Sequence, residues 1–329
     1  MLSIGLLGCG RIGQVHARSL ARLKDARLLA VADAVPEAAQ ALAAESGAEI
    51  RDAEAIIGAS DIDAVIVATP TTLHFDQIHA LAAAGKAIFC EKPIDLSSER
   101  AAECQAAVEA AGVPFLTAFN RRFDPHFAHL QVRLAAGAIG ETELVVITSR
   151  DPAPPPLSYI RQSGGLFRDM TIHDFDMARF LLGEEPVEIF AAGSCLVDAG
   201  IGAAGDIDTA AVTLRTASGK LCQINNSRRA SYGYDQRIEV HGSNGMLSAA
   251  NQPEHLVTQA GSDGFARAPN MHFFLERYEA AYLAEMSAFV AAVQEGRPPE
   301  PGIRDGVAAQ RLADAAAVSL ERGQPVRLD

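Results

Sequence analysis

The first thirteen residues, MLSIGLLGCGRIG (1–13), read as a buried strand that runs into a glycine turn and opens a helix. The run at 4–7 is short and uncharged, as expected of a strand covered on both faces. Gly8, Gly10 and Gly13 then fall in GxGxxG spacing, with Arg11 and Ile12 between the last two. The first glycine allows the tight turn, the second lets the backbone approach a pyrophosphate, and the third lets helix and strand pack closely. The helix N-terminus offers its unpaired amides to the anion. Asp33 ends the second predicted strand, 20 residues after Gly13, where a carboxylate accepts hydrogen bonds from an adenosine ribose. A 2′-phosphate there would face a negative charge, and Ala34 and Val35 supply no arginine to offset it. The expected cofactor is therefore NAD. Leu6-Leu7-Gly8-Cys9 superficially resembles a lipoprotein cleavage site. No basic segment precedes it and the apolar stretch is too short for a signal peptide, so a cytoplasmic protein is expected.

Working outward, residues 28–32, 64–68, 87–90 and 115–119 read as further strands of one buried parallel sheet. Residues 13–23, 36–46, 73–84 and 98–111 read as the helices between them. Pro36 suits a first helical turn, and Gly47, Gly85 and Gly112 fall where helices stop. This alternation predicts a doubly wound α/β domain over residues 1–120. Beyond it, a helix at 127–137 and a strand at 144–149 precede DPAPPP (151–156), which can be neither helix nor central strand. Strands follow at 188–196, 209–216, 220–226 and 236–241, with turn signals at Ser218-Gly219 and Ser243-Asn244-Gly245, as in antiparallel meanders. Helices at 278–295 and 305–322 close the chain. The second domain, 121–329, is thus expected to be α+β with a large, open, mainly antiparallel sheet.

Composition narrows the function classes. The 329 residues are 49% hydrophobic and 21% charged, ordinary for a soluble globular protein, and no apolar run approaches a membrane span. The net charge of −13 is spread evenly, with 9 basic and 15 acidic residues before position 121. No basic patch invites nucleic acid. The five scattered cysteines form no CxxC pair, which argues against disulfides and against a zinc site. No metal is expected.

Chemistry concentrates in SGGLFRDMTIHDFD (163–176), where Asp169 and His173 stand four apart in a segment of helical periodicity. That spacing puts both on one helix face, where a carboxylate can orient an imidazole that takes a proton. Alone, such a pair is more often structural. Lys92 adds to it. It is one of only four lysines and stands between Glu91 and Pro93, just after the strand at 87–90. Thr69-Pro70 follows the strand at 64–68 in the same way. Ligands of open α/β sheets lie outside these strand ends.

The segments GCGRIG (8–13), ATPTTLH (68–74), CEKPIDL (90–96), FNRRFDPHF (119–127) and GGLFRDMTIHDFD (164–176) together resemble the Gfo/Idh/MocA oxidoreductases, and within them the inositol 2-dehydrogenase branch. ITSRDPAPPP (147–156) and SYGYDQRIEVHGSNG (231–245) are the more specific matches, and the similarity runs over essentially the whole chain. The resemblance implies a Rossmann domain, a second domain with an open sheet, and a homotetramer packed through such sheets. It implies that Lys92 polarises a substrate hydroxyl, that His173 is the general base and that Asp169 orients it. The expected reaction is oxidation of a cyclitol alcohol, with inositol as the small polyol substrate. Cofactor contacts are expected from Thr69, Pro70, His74, Glu91, Lys92, Asn120 and Arg121 as well as from the glycine turn and Asp33. Polyol contacts are expected from Arg122, Asp151, Tyr232 and Tyr234 besides the catalytic three. Tyr232 and Tyr234, two apart on a strand, would share a face, and the arginines have a competing reading as ion pairs with Asp124 and other acids. Ser163 stands where some members have a third glycine. Another polyol or an aldose as substrate, and a non-catalytic dinucleotide-binding regulator, remain as alternatives.

Overall fold

Six parallel strands carry the first part of the chain in the computed structural model, which describes residues 1–328. They are β1 (Leu2–Leu7), β2 (Ala26–Ala32), β3 (Glu49–Ile50), β4 (Ala64–Val67), β5 (Ala87–Cys90) and β6 (Phe115–Thr117). Their spatial order is β3-β2-β1-β4-β5-β6, the doubly wound arrangement. Helices α1 (Arg11–Ala21), α2 (Pro36–Ser46), α3 (Ala53–Gly58), α4 (His74–Ala83) and α5 (Ser98–Ala111) make the connections. The central strands β1, β4 and β5 are buried along their whole length, which is why they read as apolar runs without alternation. The short β3 and α3 have no clear sequence signal because neither carries a full period of apolar residues.

The second part begins with α6 (Pro125–Ala135). Asp124 caps it, accepting the N–H groups of His126 and Phe127 at 3.1 Å, and Pro125 presets its first turn. The strands β7 (Thr142–Arg150), β8 (Pro186–Ser194), β9 (Thr209–Thr216), β10 (Leu221–Ser227), β11 (Asp235–Gly242) and β12 (Gly245–Ala249) come after it, with the short helices α7 (Leu157–Ile160) and α9 (Ala199–Ala203) and the longer α8 (Ile172–Leu182) between them. A hairpin, β13 (Thr258–Gly261) and β14 (Gly264–Arg267), and α10 (Phe274–Arg277) come next. Two long helices, α11 (Glu279–Glu295) and α12 (Ile303–Arg322), and β15 (Val326–Arg327) end the described chain. The large sheet has the order β12-β11-β7-β10-β9-β8-β15. It is mainly antiparallel, but β7 and β10 pair in parallel, so it is not a simple meander. Along β9, β10 and β11 burial alternates residue by residue, leaving one face exposed.

The two compact units are Met1–Phe123 with Ala280–Arg311, and Asp124–Glu279 with Leu312–Asp329. Beyond the expected division at 120/121, the first unit also takes in Ala280–Arg311. The chain returns to its first unit near the C-terminus because that sheet still has apolar surface to cover. Met286, Phe289 and Val290 of α11 join the core of Ile4, Leu6 and Phe89. Ile303 and Val307 of α12 join the opposite core of Leu7, Val65 and Ile88. The sequence announces the two helices but not which sheet they cover.

In the second unit a polar row crosses the helix-covered face of the sheet. Asn226, Ser149 and Gln236 stand side by side on β10, β7 and β11. The Asn226 amide donates to Asp174 at 2.7 Å and accepts from the Thr171 hydroxyl at 2.8 Å, while Gln236 donates to Ser149 at 3.0 Å. Buried polar groups satisfied in this way fix one placement for the start of α8.

Asp208, fully buried before β9, ties down the turn after β8. It accepts the N–H groups of Leu196 and Val197 at 2.8 Å and of Asp198 at 3.0 Å. Burial alone would raise its pKa, but these N–H groups and the Thr209 hydroxyl outweigh burial and hold it at about 2. The depressed value means stability that is present above the unfolded pKa near 4 and is lost as pH falls towards 2. Asp208→Asn should lower the unfolding free energy near neutral pH by roughly 1–3 kcal/mol. Urea titrations should show the gap to the parent protein narrowing below about pH 4; a gap constant down to the acid transition would contradict the assignment.

Candidate active site

The crossing point of the first sheet lies between β1 and β4, whose outgoing connections run to opposite sides. Gly8 leaves β1 at φ +97°, and a Cβ there would collide with the backbone carbonyl of Ala68. A Cβ at Gly13 would collide with the carbonyl of Gly8. Both glycines are thus demanded by the protein's own packing. Gly10 is different, because a Cβ there would meet no protein atom within 4 Å. Its bare, exposed backbone is open space at the head of α1, where no side chain caps the helix and no acidic residue occupies the first turn. Arg11 is exposed at the first helical position and Ile12 is half-buried. This arrangement fits the diphosphate of a dinucleotide, which takes the first-turn amides.

Asp33, just past β2, faces the same turn. Its Oδ2 accepts the Cys9 N–H at 2.6 Å and its Oδ1 the Val35 N–H at 2.8 Å. Each carboxylate oxygen has a second acceptor site, so a ribose diol can share a group already fixed to the glycine turn. Burial, then the charge of Asp33, pushes the Cys9 thiol up to about 11 and keeps it inert.

At the ends of β4 and β5 the residues expected at the cofactor divide into two kinds. Thr69 is half-buried, its hydroxyl donating to Gln77 at 2.6 Å, and Pro70 is exposed. Lys92 is half-buried and joined to Pro93 by a cis peptide. His74 and Glu91, by contrast, turn inward. Glu91 lies 2.8 Å from His16 Nε2, and His16 is fully buried. His74 is 1% exposed, with Nε2 2.9 Å from the Thr69 carbonyl and Nδ1 2.9 Å from that of Pro93. Burial lowers its pKa, although the two carbonyls, Glu91 and Asp95 favour the proton. The side chains of His74 and Glu91, both expected at the cofactor, have partners inside the unit. Asn120 and Arg121 are buried in the 3₁₀ turn Asn120–Phe123. Arg122 pairs with Asp305 at 2.8 Å. Asp124 binds Arg277.

In the second unit Gly164 and Gly165 turn the chain at φ +81° and +89°. The Leu166 N–H then donates to Asp206 at 3.0 Å. The next segment is not a plain α-helix. Phe167–Thr171 forms a π turn that passes into α8 at Ile172. Asp169 therefore lies in the π turn and His173 in the first α turn, so the regular four-residue helix face expected of the pair is corrected. A π turn re-aims side chains in this manner and recurs at functional sites. Both residues are half-buried. Asp169 Oδ1 accepts the Tyr159 hydroxyl at 2.7 Å, and Oδ2 accepts from Arg228 at 3.1 Å. Arg228 is 1% exposed, a buried cation set beside a carboxylate. Nothing in the sequence singles out Tyr159, Arg228 or His16. None stands in a motif, and only the tertiary packing brings them to their partners.

Asp151 is half-buried just past β7, its N–H bound to the Ser227 carbonyl at 2.9 Å. Tyr232 and Tyr234 are not on a strand and do not share a face, which corrects the expected pairing. They flank Gly233, which has φ +105°, in the turn before β11. Tyr232 is exposed; its hydroxyl donates to Asp235 at 2.6 Å and accepts from Arg150 at 2.9 Å. Tyr234 is buried, its ring edge-on to Tyr278 at 6.0 Å. Among the described residues no group of three or more His, Cys, Asp and Glu side chains is placed to hold a metal ion, and no helix is long and apolar enough to cross a membrane.

Comparison with known proteins agrees with this architecture. Residues 2–119 match the oxidoreductase family with the NAD-binding Rossmann fold, and residues 127–248 match the GFO/IDH/MocA C-terminal domain. The chain is 54% identical over 324 residues to an inositol 2-dehydrogenase of Rhizobium meliloti, covering 98% of each chain. It is 46% identical to a myo-inositol 2-dehydrogenase of Thermotoga maritima, covering 100% of this chain and 99% of that one. The crystal structure of scyllo-inositol dehydrogenase from Lactobacillus casei with bound NAD(H) and scyllo-inositol superposes with a TM-score of 0.92 at 31% identity, over 99% of each chain. With both of its domains matched, this chain belongs to the Gfo/Idh/MocA family of NAD-binding oxidoreductases.

Proposed function

We propose that the protein oxidises a secondary alcohol of a cyclitol with NAD, taking myo-inositol to 2-keto-myo-inositol (scyllo-inosose). The observation that carries this reading is full-length similarity to inositol 2-dehydrogenases in a chain that keeps Lys92, Asp169 and His173 together with an NAD-type cradle. Scyllo-inositol is the second reading, favoured by the resemblance to the Lactobacillus casei enzyme.

Oxidation of an alcohol removes a hydride from carbon and a proton from oxygen. The bound dinucleotide supplies the hydride acceptor. Gly8, Gly10 and the first turn of α1 hold its diphosphate, and Asp33 accepts from the adenosine ribose. Asn120 and Arg121 belong to the wall of that site. His173 takes the hydroxyl proton, since imidazole is the side chain matched to proton transfer near neutral pH. Asp169, gripped by Tyr159 and Arg228, fixes the imidazole's orientation. Lys92 donates from its ammonium to the reacting oxygen and favours alkoxide character. Arg122, Asp151, Tyr232 and Tyr234 are the proposed polyol contacts, of which Asp151 is half-buried and Tyr232 exposed. We place the protein in the cytoplasm and expect a homotetramer that covers the exposed face of the seven-stranded sheet.

NADH absorbance on mixing enzyme, NAD and a panel of inositol isomers and hexoses tests the reading; no NADH with any of them would end it. His173→Ala should lower kcat by about 100- to 10,000-fold while NAD affinity, measured by calorimetry, stays within about threefold. Near-normal turnover would remove His173 from the role of base. Asp33→Ser combined with Ala34→Arg should move the preference from NAD towards NADP by replacing ribose acceptance with phosphate pairing. An unchanged ratio of kcat/KM values for the two cofactors would refute the Asp33 assignment.

A further inference from the structure

Two buried histidines flank Lys92 without belonging to any site assigned so far. On one side, His16 of α1 lies 2.8 Å from Glu91 Oε1, and Glu91 Oε2 accepts the backbone N–H of Lys92 itself at 3.3 Å. The His16 ring is fully buried, edge-on to Phe89 at 4.8 Å and to Tyr282 at 6.0 Å. On the other side, the ring of His74 of α4 sits between the carbonyls of Pro93 and Thr69, each 2.9 Å from a ring nitrogen, and a neutral ring donates its one N–H to one of them. The residue before Lys92 and the residue after it are thus each held by an imidazole from a different helix.

A lysine ammonium sits on a flexible four-carbon stem. Where the backbone of the loop is held sets where that stem starts. Drift of about 1 Å at a group that must meet a reacting atom costs up to roughly 100-fold in rate. A glycine turn, a strand end and a proline do not by themselves restrain the loop from both sides. The two imidazoles do, in a place where water cannot take over their hydrogen bonds. His16 also lies on the helix whose N-terminus faces the dinucleotide, so the diphosphate cradle and the Lys92 loop form one piece.

We propose that His16 and His74 are positioning residues for Lys92, holding its loop from both sides so that the ammonium arrives at the reacting oxygen. This rests on the reading that Lys92 acts at that oxygen.

The test is a mutant cycle on the full-length protein with NAD and the cyclitol that gives NADH. His16→Leu and His74→Leu should each lower kcat by about 10- to 100-fold, with the NAD dissociation constant from calorimetry within about threefold. His16→Gln, which keeps a donor near the Nε2 position, should recover most of the loss. In a Lys92→Ala background the same two leucine substitutions should change kcat by less than about twofold, because the group they position is gone. Equal losses in both backgrounds, or NAD affinity falling in step with kcat, would mean that the histidines merely scaffold the domain and would overturn the proposal. Unchanged kcat in the leucine variants would do the same. If the leucine variants do not fold, His16→Gln and His74→Gln carry the same cycle. Normal turnover of Lys92→Ala alone would instead strike at the role of Lys92 and leave nothing for the histidines to position.

Discussion

The close approach of Gly8 to the backbone of Ala68 is the contact on which the first unit depends. It sets how nearly the turn after β1 can come to the end of β4, and with that the width of the opening between them. Gly13 repeats the constraint one helical turn later, against the carbonyl of Gly8. Two glycines satisfy the protein, and a third, Gly10, serves no packing purpose. A backbone that is bare where nothing in the protein requires it is bare for a ligand. The same turn receives the Asp33 carboxylate on the Cys9 N–H, so the residue proposed to meet the ribose is hung from the element proposed to hold the diphosphate.

Buried polar groups carry this coupling further. A burial cost of a few kcal/mol per unsatisfied group makes each hydrogen bond of His16, Glu91 and His74 a choice between one geometry and a substantial penalty. Apolar packing alone tolerates small shifts, whereas these contacts do not. The second unit uses the same device with neutral groups. The row of Asn226, Ser149 and Gln236 meets Thr171 and Asp174, and so fixes where the π turn ends and α8 begins. In both units the residues with proposed chemistry are half-buried, and the fully buried polar residues beneath them do the holding.

How far the sequence can be read depends on the range of each interaction. The glycine turn, Asp33 and the helix stops at Gly47 and Gly112 are local, and the structure has them where the spacing puts them. The strands of the second unit are legible from alternation, but the parallel pairing of β7 with β10 is not, since alternation fixes a face and not a neighbour. The return of Ala280–Arg311 to the first unit is invisible for a similar reason. Among the residues with proposed chemistry, Lys92, Asp169 and His173 can be picked out by motif. Their supporting residues cannot: His16 is 75 residues from Glu91, and Arg228 is 59 from Asp169. For His74 and Tyr232, residue type announces a capacity for hydrogen bonding and says nothing of the protein partners that take it up.

The π turn gives the Asp169–His173 pair a meaning that regular spacing would not. On an ideal helix the two side chains would be set by the helix alone, and a carboxylate would be free to swing with its rotamer. Here the extra width of the turn carries Asp169 towards Tyr159 on one oxygen and Arg228 on the other. Both of those donors come from outside the helix, one from α7 and one from the end of β10. The orientation of the carboxylate is therefore decided by tertiary structure before any substrate arrives. An orienting group must be stiffer than what it orients, and Asp169, in the orienting role proposed for it, meets that condition through two anchors on separate elements. His173, on the first regular turn of α8, has its backbone set by the helix, so the two members of the pair are placed by independent means: one by its helix, the other by its anchors.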